Sequence, residues 1–152
     1  MAGRVAEALG LPVSVTTAGT HVVENQPMSR RTRAALDMIG VDPGHHRSHQ
    51  LTVGDVDRAA LIVAMEGEHV RYVRRLHPQG APRTATICYL AGELLTGPAP
   101  LTDRVAALVL DEVPTETQGD VADPAGAEEP EYVRCAKQIS ALLERLAPAL
   151  SN

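Results

Sequence analysis

The sequence predicts an α/β fold of three layers, with a small parallel sheet held between helices. Three observations carry this. Strand-like and helix-like segments alternate along the chain. Ala59–Met65 is a near-continuous apolar run, the mark of a strand covered on both faces. Pro130–Leu146 is a long amphipathic helix, with Val133, Ile139, Leu142, Leu143 and Leu146 in one stripe. The 152 residues have the length of one domain, 1–152, and 44% of them are apolar, enough for a real core. With no Phe, no Trp and only three Tyr, that core is aliphatic.

The elements follow in order. Met1–Gly10 reads as the inside of a helix, with Val5, Ala8 and Leu9 at helical spacing. Leu11–Thr17 is rich in β-branched residues and reads as a strand. Ala18–Pro27 is a polar loop. Ser29 caps a helix that runs to about Ile39, with Ala34, Ala35, Met38 and Ile39 on one face and Gly40 as the stop. Val41–Gln50 is a polar connection, and Thr52 caps a short turn over Val53–Arg58. After the apolar run, Glu66–His77 is helical with Val70, Val73 and Leu76 inward. Pro82–Ile87 is a second short strand, followed by a helix over Tyr89–Leu95. Gly97–Gly119, with three of the eleven prolines, reads as a surface insertion or long loop holding one helical turn at Val105–Leu110.

Composition removes several functions. A net charge of -5 gives no electrostatic support for nonspecific nucleic-acid binding, and aromatic platforms for stacking bases are missing. No apolar run approaches a membrane span, so no membrane is expected as a partner. Cys88 and Cys135 form neither a Cys-x-x-Cys pair nor a zinc pattern, which points to a reducing cytoplasm and to packed structural thiols. His45, His46 and His49 have helical ligand spacing, but Pro43 and Gly44 place them in a loop with no acid or Cys beside them. No metal and no cofactor is expected. The arginines Arg30, Arg31 and Arg33 read as a solvated helix face.

Five short motifs occur in order: Thr17-Ala-Gly-Thr20, Arg33-Ala-Ala, His46-Arg-Ser-His-Gln-Leu-Thr52, Asp57-Arg-Ala-Ala-Leu-Ile-Val-Ala-Met65 with Glu66-Gly-Glu-His69, and Asp120-Val-Ala-Asp-Pro124. Together they resemble the low-molecular-weight protein-tyrosine-phosphatases, a family that includes arsenate-reductase-like members. The resemblance spans nearly the whole chain. It implies a four-stranded sheet of order 2-1-3-4, with the first strand missing here. It implies that Asp123 is the general acid, aimed by Pro124, with Asp120 in support. It also implies that Thr17, in place of the family's Ser, and His46 brace the phosphate loop. The partner implied is a phosphorylated protein or a small phosphomonoester.

The family's Cys-x5-Arg loop is not found. Leu94 lies six residues after Cys88 and Ala141 six after Cys135, so neither supplies the arginine. Met1-Ala2 resembles the piece that follows the loop, and the expectation is a true start upstream of Met1. As given, the chain is expected to be inactive. Two alternatives stand beside phosphomonoester hydrolysis: a non-catalytic phosphatase-like binding or regulatory module, and an arsenate-reductase-like protein using Cys88 and Cys135. The family often places Tyr after Asp-Pro as a wall for a phosphotyrosine ring. Ala125 and Gly126 stand there instead.

Overall fold

The computed structural model describes residues 13–150, so the helix expected over Met1–Gly10 lies outside them. Two strands, β1 (Ile62–Ala64) and β2 (Thr84–Thr86), form a parallel pair in the register Ile62↔Thr84, Val63↔Ala85 and Ala64↔Thr86. Helices surround the pair. They are α1 (Arg30–Met38), α2 (Val53–Arg58), α3 (Gly67–Leu76), α4 (Ile87–Glu93), α5 (Leu101–Ala106) and α6 (Glu129–Leu150), with short 3-10 turns at Pro78–Arg83 and Thr115–Thr117. The sheet is therefore parallel and small, as the sequence predicts.

The helix starts are local chemistry. The Ser29 side chain accepts the Thr32 N–H and opens α1. Thr52 and Asp55 form a complete capping box on α2, each side chain meeting the other's backbone N–H. Thr86 ends β2 and caps α4 by accepting the Tyr89 N–H. Placing that cap at the last strand residue turns the chain sharply into the helix.

The main core joins β2, α4, α5 and α6 around the fully buried Ile87, Leu90 and Leu110, with Leu143 and Leu146 from α6. Each such aliphatic side chain contributes about 1.5–3 kcal/mol through removal from water. A second cluster packs Ala35 and Leu36 of α1 against Ala136 of α6.

Several expectations change. Val13–Thr17 pairs with no strand among the described residues, and Ser14–Thr17 is exposed. β-branched side chains favour extended backbone, but a strand needs a neighbour for its ladder groups. Among the described residues β1 has only β2 beside it, and Ile62 and Val63 are half-buried where the apolar run predicts full cover. Gly97–Gly119 does not lie wholly at the surface: Val105 and Leu110 are 2% and 0% exposed and belong to the main core. Short elements within it were hidden by its prolines. Met38 and Leu76 are exposed at 64% and 52%, each at the last turn of its helix where the core has ended; Leu36 takes the inward place on α1.

Candidate active site

The carboxyl ends of β1 and β2 are where a parallel sheet offers open backbone groups, the usual place for ligands in this architecture. Here that end is met by the segment that leads into the Asp-Pro motif. Gln118, 2% exposed, anchors it: its side-chain carbonyl accepts the Thr86 N–H at 3.0 Å and its backbone carbonyl accepts the Thr86 hydroxyl at 2.7 Å. Gly119 follows at φ +72°, against the Cys88 side chain; a Cβ there would lie 3.2 Å from Cys88 Cβ. Both the positive φ and the close approach ask for glycine.

Asp120 then accepts the Gly67 N–H at 2.7 Å, which satisfies an otherwise free donor at the first turn of α3. The Val121 N–H donates to Met65 O at 2.9 Å, carrying the chain alongside the end of β1. Beyond this anchored base the chain leaves the core. Asp123 is exposed, and its Oδ1 accepts the Ala125 N–H at 3.0 Å in an Asx turn that Pro124 starts. The Ala127 N–H closes onto Pro124 O at 2.9 Å, with Gly126 at φ +82°.

The far side of this loop is held by α1. Arg31 donates to Ala127 O at 2.9 Å and lies 3.9 Å from Glu128. Arg31 is thus more than a solvated residue: it ties the Asp-Pro loop to the helix. Sequence reasoning missed this contact and that of Gln118, because both join positions far apart in the chain.

Thr17 and His46 fall on a different edge. Thr17 is exposed and His46 half-buried, and no hydrogen bond among the described residues joins either to Asp120 or Asp123. Their segments meet each other instead. The Gly19 N–H donates to His49 O at 2.8 Å and the Leu51 N–H to Gly19 O at 2.9 Å, a short parallel bridge. Gln50 fixes the same edge, accepting the Val22 N–H and donating to Thr20 O and to the Tyr72 hydroxyl. Beyond it lies an open cleft of about 670 Å³ between this edge and the Tyr72–His77 side of α3.

The two thiols are free and half-buried against the main core. Burial pushes both upward from the usual cysteine range, and Asp120 adds to this at Cys88 as Asp123 does at Cys135. A thiol so placed is the reverse of an activated nucleophile. Among the described residues no group of three His, Cys, Asp or Glu side chains could hold a metal ion. Nor is any helix among them long and apolar enough to cross a membrane.

The fold is an α/β one with a small parallel sheet among helices, and comparison with known proteins gives the family. The family model for low molecular weight phosphotyrosine protein phosphatase matches residues 1–103, and the chain belongs to that family. It is similar to a protein-arginine-phosphatase from Geobacillus stearothermophilus, 26% identical over 153 residues, covering 100% of this chain and 87% of the relative. A probable low molecular weight protein-tyrosine-phosphatase, EpsP, from Ralstonia solanacearum is 35% identical over 66 residues, 43% of this chain and 46% of its own length. Among solved structures, an arginine phosphatase from Geobacillus stearothermophilus superposes with a TM-score of 0.76 at 25% identity, covering 98% of this chain and 82% of that one. A low molecular weight protein tyrosine phosphatase from T. tengcongensis gives 0.74 at 25% identity, covering 95% and 83%.

Proposed function

We propose that this chain carries the proton-transfer half of a phosphomonoesterase site that acts on phosphorylated protein side chains, and that residues 1–152 alone do not turn substrate over. The observation that carries this is the Asp-Pro loop: a base bound to Gly67 and Met65 at the strand ends, and an exposed Asp123 beyond it. In the family reaction a thiolate displaces the leaving group from phosphorus, and an acid protonates the departing atom. Asp123 is the candidate acid. As carboxylate it then accepts the proton of the water that attacks the phospho-enzyme. Asp120 supports by holding the loop base. Thr17 and His46, on the bridged edge, are the candidate braces of a phosphate loop.

Neither cysteine serves as nucleophile in this reading. Both lack the arginine six residues on, and burial raises both thiols. The same two facts weigh against the arsenate-reductase-like alternative. The non-catalytic binding module remains the second reading, favoured by the lack of a Cys-x5-Arg within the chain.

On substrate class, Ala125 follows Pro124 and furnishes no aromatic wall. Relatives of both kinds span the chain, an arginine phosphatase over 100% of it and a tyrosine phosphatase of solved structure over 95%. The missing wall is what disfavours phosphotyrosine and makes phosphoarginine a candidate for the side chain facing Asp123.

The test is a turnover assay of the purified chain with an aryl phosphate and with a phosphoarginine peptide. The expected result is no hydrolysis above buffer for either. Hydrolysis lost in Cys88→Ser or Cys135→Ser, or hydrolysis that survives Asp123→Ala, would overturn the reading.

A further inference from the structure

We propose that His49 is a pH-sensitive clasp that holds the Gly19–Pro27 loop against the start of α2. Its imidazole stands between two carboxylates. Nε2 is 2.9 Å from Asp55 Oδ2, and Nδ1 is 3.4 Å from Glu24 Oε1. A neutral imidazole has one N–H and can donate to one carboxylate only, leaving a ring lone pair facing the other. The imidazolium donates to both. The clasp is therefore complete only when His49 is protonated.

The two carboxylates do not depend on it equally. Asp55 is held in any case by the Thr52 N–H at 3.0 Å, the Thr52 hydroxyl and Arg58 at 2.9 Å. Glu24 has the Gln50 N–H at 2.6 Å and then His49. Loss of the proton therefore loosens the Glu24 side, which belongs to the loop. Around Glu24 the loop is also tied by the Asn25 N–H to Ser48 O, the Ser48 N–H to Gln26 O, the Gln26 N–H to the Ser48 hydroxyl oxygen and the Ser48 hydroxyl to Val23 O, while Gly19, Thr20 and Val22 are held by the bridge and by Gln50. The charged groups that face the imidazole are Asp55 and Glu24, with Arg58 beyond Asp55. The hydrogen bond to Asp55 foremost raises His49 above its ordinary 6.5; desolvation comes next and opposes it, and the charges of Asp55 and Glu24 add to the rise.

A group raised in the folded state contributes stability that is fully present below its unfolded value and is lost as pH rises through the folded one. The clasp is thus closed in mild acid and opens as pH rises beyond 6.5. His49 is 44% exposed on its side chain, so solvent screens the tie and the effect is modest, about a two- to fivefold change in loop opening. The loop continues directly from Thr17 and supplies Thr20–Val23 to the cleft, so the clasp sets how firmly that edge is held.

Proton NMR titration of the 152-residue chain tests this. We expect the His49 ring to titrate above 6.5 and the Asn25 and Gln50 amides to follow the same midpoint. Amide exchange in the loop, corrected for intrinsic rates, should become about two- to fivefold faster across that midpoint. His49→Arg should keep the loop closed at both ends of the range, and Glu24→Gln should lower the His49 midpoint. Loop amides that ignore the His49 titration, a midpoint at or below 6.5, or a pH dependence that survives His49→Arg would each overturn the proposal.

Discussion

The segment from Leu110 to Val121 and the loop from Gly19 to Pro27 are both connections without long elements, yet opposite forces hold them. The first buries Leu110, Thr115, Gln118 and Val121 and is anchored on β1 and β2. The second is mostly exposed and is tied by backbone bridges, Gln50 and the His49 clasp. Burial and backbone bonds to the strand ends fix the base of the Asp-Pro loop, with the Asp120 carboxylate on Gly67 as its one titratable tie among the described residues. Polar ties on an exposed edge answer to pH and salt.

The largest expected effect lies in the buried segment. Leu110→Ala, at a fully buried position, should cost about 2–5 kcal/mol in urea unfolding. A cost below that of an exposed change such as Val23→Ala would show that the segment is not core. Next comes Gln118→Leu, which keeps the volume but leaves the Thr86 N–H without its acceptor and should cost about 1–3 kcal/mol. Gly119→Ala should cost about 1–2 kcal/mol, from the positive φ and the contact with Cys88. Thermal melting measures both.

On the polar edge the effects are smaller. Thr52→Ala removes a capping hydroxyl and should cost about 1 kcal/mol. It should also raise Asp55, which the Thr52 hydroxyl first and His49 second hold at about 2 rather than 3.8. A carboxyl lowered in the folded state contributes stability that is present above its unfolded value and is lost as pH falls through the folded one. Unfolding midpoints should therefore fall as pH drops from about 4 toward 2, and that slope should shrink in Asp55→Asn.

Much of the local structure was legible in the sequence. Ser29 and Thr52 are legible as caps because capping joins residues three apart. The β1 run and the long last helix were legible because their patterns repeat within a few residues. The roles of Gln118 and Arg31 were not, since their partners lie far along the chain, and that of His49 was not, since its second carboxylate, Glu24, comes from a separate loop. Val13–Thr17 shows the converse: its β-branched side chains favour a strand, and no described neighbour completes one. At the site, Asp123 was legible only through the ordered motifs, whereas the anchoring of Asp120 on Gly67 came from the structure.

The most direct measurement is native-state amide exchange on Val121 compared with Asn25, corrected for intrinsic rates. If burial holds the base of the Asp-Pro loop, Val121, bonded to Met65 O and 3% exposed, opens only with global unfolding, while Asn25 opens locally and orders of magnitude faster. Equal protection at the two amides, or a Val121 that exchanges as fast as Asn25, would contradict the account.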